Sequence, residues 1–187
     1  MEARNFYIII ASIAVGMVIF WLFLFAVIEL DANLFQDPNS ITIRGDGVNR
    51  EITLTTTQLK SDKYSQNIDK SFHIMNSFET EYDIVYSGVS LWSVLIKENL
   101  IDLDPSLLTF EFWARDLYHS PKPLNLSIAL NDPDLVIIAY EENGAPLFEE
   151  GPLRSVIDQT IMPDGEYSSQ YSVQMLSEIR INTYTNR

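Results

Sequence analysis

The feature that most constrains this chain is an uncharged run near its N-terminus. Phe6 to Ile28 contains 23 residues without one charged side chain. A helix rises about 1.5 Å per residue, so this run is long enough to span the roughly 30 Å hydrocarbon layer of a membrane. A cleaved signal peptide is the alternative, but its apolar core is shorter, about 7–15 residues. Val27 to Ala32 also makes a poor cleavage site, so we predict a retained, single-pass transmembrane helix.

The flanks of this run predict its orientation. Arg4 precedes the run, whereas Glu29, Asp31 and Asp37 follow it. Positive side chains favour the cytoplasmic side of a membrane. We therefore expect a cytoplasmic N-terminus, with the main domain outside the cell membrane.

The predicted organisation has three parts. Residues 1–30 form the anchor, residues 31–40 form a polar linker with an Asp-Pro-Asn-Ser turn signal, and residues 41–187 form one extracytoplasmic domain. Within the anchor, Ser12 and Gly16 make a small-xxx-small pair, which lets another helix come close. The membrane, and other membrane-protein subunits on this helix face, are therefore the expected partners.

Charge and cysteine content exclude several functions. The formal net charge is −14. Within the first 28 residues only Glu2 and Arg4 are charged, and they cancel, so the whole net charge lies after residue 28. Such a surface repels nucleic acid, so no nucleic-acid binding is expected. It indicates either a solvated acidic exterior or a surface that binds cations. The absence of cysteine excludes disulfides, thiolate catalysis and thiolate metal ligands.

Local patterns after the linker predict an α+β domain of short strands with two or three short helices. The predicted strands are Ile41–Arg44, Glu51–Leu54, Ser71–Met75, Tyr82–Tyr86, Leu107–Trp113, Leu135–Tyr140, Pro146–Phe148 and Glu178–Tyr184. The predicted helices are a short one within Thr55–Lys60, capped by one of its threonines, and one that follows Ser90 as N-cap. One or two further helical turns are expected in Leu124–Leu130. Ser61–Asp69 is expected to be a loop, and Gly88 is expected to end a strand.

The stretch from Ala139 to Ile157 joins an apolar run to a turn and a bend. Asn143-Gly144 is the strongest hairpin signal in the chain, because both residue types accept a positive φ. Gly151-Pro-Leu-Arg154 follows and predicts a bend. Arg154 is then placed to pair with a carboxylate of its own hairpin or to bind a ligand.

Four stretches of the chain match, in order, motifs of one family. They are Tyr86-Ser-Gly-Val-Ser-Leu-Trp-Ser-Val-Leu95, Phe110–Tyr118 with its Asp116-Leu-Tyr118, Leu135–Leu147 with its Asn-Gly turn, and Gly151-Pro-Leu-Arg154. Together they resemble the sulfite-oxidase-like, molybdopterin-binding oxidoreductase domain over roughly residues 41–184. The resemblance implies a compact, mixed and β-rich domain, and molybdopterin as its cofactor.

The chain departs from this family where the cofactor binds. Catalytic members ligate molybdenum with a cysteine, and this chain has none. Phe72–Asn76 lies about where that ligand is expected and offers His73 and Met75 instead. Ser155–Ser169 contains no lysine or arginine, although a pterin pyrophosphate needs positive donors.

These observations leave few candidate site residues. No catalytic residue and no metal site are predicted, because the two histidines lack a ligand spacing. The candidates for cofactor binding are Arg154, His73, Asp116 and Tyr118. The sequence therefore favours a non-catalytic domain that acts as a scaffold, an accessory subunit or a binding module. The alternative is a molybdopterin-dependent oxidoreductase, or a subunit of a redox complex, that holds the pterin without a cysteine ligand.

Overall fold

The computed structural model describes residues 3–29, 37–147 and 151–184, with side chains described from residue 12 to residue 25 in the first range. The chain divides into two compact units, Met1–Gln36 and Asp37–Arg187. Most of the predicted linker, together with Phe148 of a predicted strand, lies outside the described residues. The predicted boundaries of the anchor, linker and domain stay predictions.

The first unit contains helix α1 (Ala3–Glu29), which is 27 residues long. It includes the whole of the uncharged run. Among the residues whose structure is described, no helix combines the length and the apolar character needed to cross a membrane.

The described part of the second unit is built from ten strands and several short helices. The strands are β1 (Ser40–Arg44), β2 (Ile52–Thr55), β3 (Gln66–Met75), β4 (Glu81–Ser90), β5 (Leu108–Ala114), β6 (Leu124–Asn125), β7 (Val136–Glu142), β8 (Ala145–Pro146), β9 (Arg154–Ile157) and β10 (Leu176–Thr183). The α-helices are α2 (Thr56–Leu59), α3 (Leu91–Lys97) and α4 (Ser127–Asn131). Three 3-10 helices cover Pro105–Leu107, Gln159–Ile161 and Ser168–Tyr171. The predicted α+β, β-rich domain with short helices is confirmed.

The strands form two sheets. Sheet A has the order β2-β1-β10-β5-β6, and β10 runs parallel to β1 and antiparallel to β5. Sheet B has the order β3-β4-β7, and both β8 and β9 pair with β7. The last described strand, β10, therefore lies at the centre of sheet A and pairs with the first, β1.

Two of the short helices, α2 and α3, begin where the sequence predicts, whereas α4 begins at Ser127 because Leu124–Asn125 forms β6. Thr55 caps α2 through a capping box, in which Gln58 N donates to Thr55 Oγ1 at 3.2 Å and Thr55 N donates to Gln58 Oε1 at 2.8 Å. Ser90 Oγ accepts from Ser93 N at 3.2 Å and caps α3. Asn99 follows this helix with a φ of 53°, a conformation that asparagine tolerates better than most residues.

A large apolar core joins sheet A, α3 and one face of sheet B. Its members include Ile41, Leu95, Phe112, Ile138 and Ile179, each fully buried. A smaller cluster around Phe72, Tyr86 and Val156 covers another part of sheet B. Sheet B is thus buried on both sides over much of its length, which explains the continuous apolar run of β7.

Two local predictions are wrong. Gly88 does not end a strand, because it lies within β4 at an irregularity opposite β7. A Cβ there would lie 2.6 Å from Ile138 O, so glycine permits a close approach between two strands. The predicted loop Ser61–Asp69 contains the start of β3. The predicted Gly151-Pro-Leu-Arg154 bend is present at Pro152, and Arg154 then begins β9, whose four residues are all buried.

Candidate functional site

His73 lies on β3 and faces the neighbouring strand β4. Its Nδ1 is 3.0 Å from Asp83 Oδ1, and its Nε2 is 3.7 Å from Glu81 Oε2. The hydrogen bond to Asp83, with the charges of Glu81, Asp83 and Asp158, raises the pKa of His73 against a smaller opposing effect of burial. Because the side chains of Glu81 and Asp83 are 63% and 69% exposed, this is a solvated ion pair.

A cleft of about 520 Å³ opens where β3 ends, between the β3–β4 turn and residues 159–167. Met75 and Met162 contribute apolar surface to this cleft. Its four carboxylates are those of Glu79, Glu81, Asp164 and Glu166. We call this region the acidic cleft. Met75 belongs to Phe72–Asn76, the segment where the resemblance places the metal ligand.

The charges of the acidic cleft are poorly compensated. Lys122 Nζ donates to Glu166, and Tyr171 OH donates to the same carboxylate at 2.8 Å. The hydrogen bond from Lys122 makes the largest contribution to lowering the pKa of Glu166, and that from Tyr171 makes the next largest. No lysine or arginine occurs among the described residues that line the cleft. The same residues contain no group of three or more side chains that could share a metal ion.

One wall of the cleft is held by a carboxylate that sequence patterns did not single out. Asp158 is 5% exposed, and its Oδ2 accepts the backbone N–H of His73 at 2.8 Å. Its Oδ1 accepts Thr160 N at 2.9 Å and Thr160 Oγ1 at 2.6 Å. Ser168 Oγ likewise accepts Met75 N at 3.1 Å. These side chains accept hydrogen bonds from backbone N–H groups on the outer edge of β3, which no neighbouring strand among the described residues pairs.

The local part of this arrangement has a sequence signal, because Asp-x-Thr is typical of a capped turn. The partner of Asp158 on β3, however, is 85 residues away in the chain. No local pattern identifies a contact at that separation.

Arg154 lies on β9 and is 6% exposed. Its Nη1 donates to Glu142 Oε2 at 2.5 Å and to Tyr86 OH at 3.0 Å. Burial raises the pKa of Tyr86, although the guanidinium of Arg154 opposes this effect. The ion pair of Arg154 with its own hairpin is therefore present, and its guanidinium serves the packing of sheet B.

Asp116 and Tyr118 line a second, smaller cavity of about 260 Å³. Asp116 Oδ1 accepts Tyr118 N at 3.1 Å, and Tyr118 OH donates to Gln170 O at 3.2 Å. Between them, Leu117 has a φ of 71°. That is a left-handed conformation which favours glycine, at the middle position of the Asp116-Leu-Tyr118 motif. The structure thus gives that motif a backbone role.

The four candidate residues do not form one site. His73 lies beside the acidic cleft, Arg154 lies within sheet B, and Asp116 and Tyr118 line the smaller cavity.

Molybdopterin is the cofactor that the resemblance implies, and the described residues do not fit it. Metal ligation there uses a thiolate, whereas the acidic cleft offers only methionine thioethers beside carboxylates. The pyrophosphate requires cationic donors. Arg154 is committed to Glu142, and Lys122 is committed to Glu166. The acidic cleft therefore suits a cationic group better than an anionic one.

Comparisons with known proteins give a fold but no family. No family model matches the chain, and no curated protein matches it. Among solved structures, the chain is similar to the sulfane dehydrogenase SoxCD from Paracoccus pantotrophus, with a TM-score of 0.53 and 16% sequence identity. The match covers 79% of this chain and 39% of that chain. At this identity the likeness shows the fold alone, and the chain has a sulfite-oxidase-like fold.

Proposed function

We propose that the chain is a membrane-anchored, extracytoplasmic domain of sulfite-oxidase-like fold that acts as a non-catalytic accessory or binding module. The acidic cleft beside Met75 carries this proposal. It lies where the resemblance places the metal-ligating cysteine, and it presents carboxylates to a position that would hold an anionic cofactor.

Electrostatics supports this choice over cofactor binding. At an effective dielectric constant of about 20, a carboxylate about 8 Å from a unit negative charge adds about 2 kcal/mol of repulsion. The acidic cleft contains four carboxylates, and only that of Glu166 has a lysine partner among the described residues. A pyrophosphate there would be opposed by several kcal/mol before any favourable contact formed.

The proposed anchor is α1. Within residues 12–25, ten large apolar side chains are between 52% and 68% exposed. Apolar surface left in water costs about 25 cal/mol per Å², so a helix with this surface is stabilised by lipid. The uncharged run Phe6–Ile28 supports the same proposal.

The orientation can be tested directly, because the chain contains no cysteine. We expect a membrane-impermeant thiol reagent to label the Asp102→Cys variant in intact cells. The Asn5→Cys variant should be labelled only after permeabilisation. The opposite pattern would show that the main domain lies in the cytoplasm. Resistance of the full chain to carbonate extraction tests the anchor itself.

We also propose that the Ser12/Gly16 face of α1 packs against a helix of another subunit. Its small residues allow two helix backbones to approach closely. The Gly16→Leu variant should then release a partner, or a second copy, during native electrophoresis in mild detergent. Unchanged migration would contradict this contact.

A molybdopterin-dependent oxidoreductase is the second candidate function. The likeness to a sulfane dehydrogenase favours it, since the fold is one that supports molybdopterin chemistry in that neighbour's class. Such an enzyme would have to hold the pterin without thiolate ligation.

Cofactor analysis separates the two functions. The full chain is expressed in a host that makes molybdopterin and is purified in mild detergent. Molybdenum is then measured by mass spectrometry, and extracted pterin by fluorescence. We expect neither in stoichiometric amount. Stoichiometric molybdenum and pterin would overturn the non-catalytic proposal.

A further inference from the structure

The tip of the β3–β4 turn exposes a large aromatic side chain. Phe78 is 87% exposed, the highest value among the large apolar side chains that the structure describes. Asn76 Oδ1 accepts the backbone N–H groups of Phe78 and Thr80, at 2.9 Å and 3.1 Å. The conformation of the turn is therefore held by its own hydrogen bonds, and the exposed ring of Phe78 adds no stabilising contact to it. A ring held out in water in this way is available for contact with a partner.

The same turn borders the acidic cleft. Met75 and Glu79, which flank Phe78 in the chain, both line the cleft. Met162 adds apolar surface from the opposite segment. The cleft thus contains both apolar side chains and carboxylates, and Phe78 adjoins one of those carboxylates in the chain. We call Phe78 together with the acidic cleft the docking surface.

Charge decides the kind of partner. Glu79 and Asp164 make no ion pair with a basic side chain within residues 37–147 and 151–184. Lys122 is already bound to Glu166, and His73 Nε2 lies 3.7 Å from Glu81 Oε2. The chain as a whole carries −14. Anionic lipid headgroups and nucleic acid would be repelled by this surface.

The spacing of the carboxylates decides between a metal ion and a chain of cationic groups. They are spread around a cleft of about 520 Å³, and no three metal-ligating side chains in the described residues come close enough to share an ion. A hard cation such as Ca²⁺ needs six to eight oxygen ligands at about 2.3–2.6 Å. Several cationic side chains on one polypeptide match separated carboxylates better.

We propose that the docking surface binds a cationic polypeptide segment of a partner protein, with lysine or arginine side chains in the acidic cleft and an apolar side chain against Phe78. This inference rests on the proposed binding function and names the chemistry of its partner. The position where the resemblance places an anionic cofactor would then bind a group of the opposite charge.

The experiment uses the full chain in mild detergent and a short fluorescein-labelled peptide in which lysine and leucine alternate. Binding is followed by fluorescence anisotropy at several salt concentrations. We expect saturable binding that weakens as salt rises. Peptides with glutamate in place of lysine, or serine in place of leucine, should bind at least about tenfold more weakly.

Two variants with the same charge change locate the site. The cleft variant combines Glu79→Gln, Glu81→Gln and Asp164→Asn. The control variant combines Asp62→Asn, Asp102→Asn and Asp132→Asn, which are exposed residues outside the cleft. We expect the cleft variant to weaken binding about tenfold and the control to change it less than about twofold. Equal losses in both variants would show general attraction to an acidic surface and overturn the proposal.

Phe78→Ser tests the apolar contact. It should weaken binding of the lysine–leucine peptide while leaving the thermal unfolding temperature unchanged, and unaltered binding would contradict the assigned role of Phe78. Displacement of the peptide by stoichiometric Ca²⁺ would identify a metal site instead and overturn the inference. If pterin and molybdenum are absent and no peptide binds, the docking surface is refuted while the non-catalytic function stands.

Discussion

Two groups of charged side chains in this molecule are built in opposite ways. On sheet A, Glu178 is 3% exposed and lies between two arginines. Arg44 Nε lies 2.8 Å from Glu178 Oε1, and Arg180 Nε donates to the same atom. The guanidinium of Arg180 also lies 3.8 Å from the centroid of the Trp113 ring. In the acidic cleft, by contrast, only Glu166 of the four carboxylates pairs with a lysine among the described residues, and Glu81 lies 3.7 Å from His73 Nε2.

This difference in compensation indicates which charged side chains stabilise the fold and which are available to bind a partner. A buried carboxylate is tolerated only when cations and donors compensate its lost hydration, and Glu178 has that compensation. Uncompensated carboxylates remain at a cleft only because water reaches them, so they contribute little to folding. Charges of the first kind should be costly to remove, and charges of the second kind should be removable at little cost.

Removing Glu178 should produce the largest effect. Glu178→Ala leaves two guanidiniums without their shared carboxylate, and we expect a loss of about 3 kcal/mol because the arginines are partly solvated. That corresponds to a fall of about 8 °C in the unfolding temperature of the full chain in detergent. Glu51→Ala, at an exposed position, is the control. Similar small shifts in both variants would remove the contrast between the two regions.

Asp158 sharpens the comparison, because it is a buried carboxylate at the edge of the acidic cleft. Asp158→Ala removes the acceptor of His73 N and should cost about 2 kcal/mol. Asp158→Asn keeps an acceptor oxygen and should cost less. Hydrogen exchange measures the effect locally, since the His73 amide should lose protection in the alanine variant. An unchanged exchange rate would contradict the contact.

Leu117 provides a comparison based on strain. Its side chain is 49% exposed and its φ is 71°, so Leu117→Gly should relieve backbone strain while losing little buried surface. We expect a gain of about 1 kcal/mol, or about 3 °C in unfolding temperature. Leu117→Ala, which keeps the Cβ, should not reproduce this gain. A destabilised glycine variant would show that the leucine side chain makes an essential contact.

The cleft carboxylates should matter little for folding. The variant with Glu79→Gln, Glu81→Gln and Asp164→Asn should change the free energy of unfolding by less than about 0.5 kcal/mol, as substitutions at exposed positions usually do. Denaturant titration of the full chain measures this change. A loss comparable with that of Glu178→Ala would mean that these carboxylates hold the fold together.

His73 should give the smallest effect, and it should depend on pH. Its pKa is raised in the folded state by Asp83 and neighbouring carboxylates, so its contribution is fully present below the unfolded pKa of about 6.5. The contribution is lost as pH rises through the higher folded value. His73→Gln should lower the unfolding temperature by about 1 °C at acidic pH and by less at alkaline pH. A larger effect at alkaline pH would reverse the assigned sign.

Local signals in the sequence predicted much of the fold. Thr55 and Ser90 start helices because their hydroxyls accept a nearby backbone N–H. Asn143 and Gly144 have positive φ values of 52° and 75° in the predicted turn. The features that the sequence did not predict depend on contacts between distant parts of the chain. Arg154 begins a buried strand because β7 offers it a free edge, which its glycine-proline surroundings do not reveal.

The candidate site was less predictable than the fold. Arg154 was a reasonable candidate for ligand binding because guanidiniums favour anions, yet Glu142 lies within reach of it. The acidic cleft had no motif, since its carboxylates come from two segments 85 residues apart. The role of Asp158 could not be found from the sequence either, because its partner on β3 is equally distant in the chain.

The sequence by itself determined the absence of thiolate chemistry, the acidic character of the domain and its short strands and helices. It also supplied the four ordered motifs of a sulfite-oxidase-like fold. Only the tertiary structure decided which charges are compensated. Composition counts carboxylates, but compensation depends on which side chains from distant segments meet. Glu178 therefore lies between two arginines, while Glu79 and Asp164 line a cleft that suits a cationic partner.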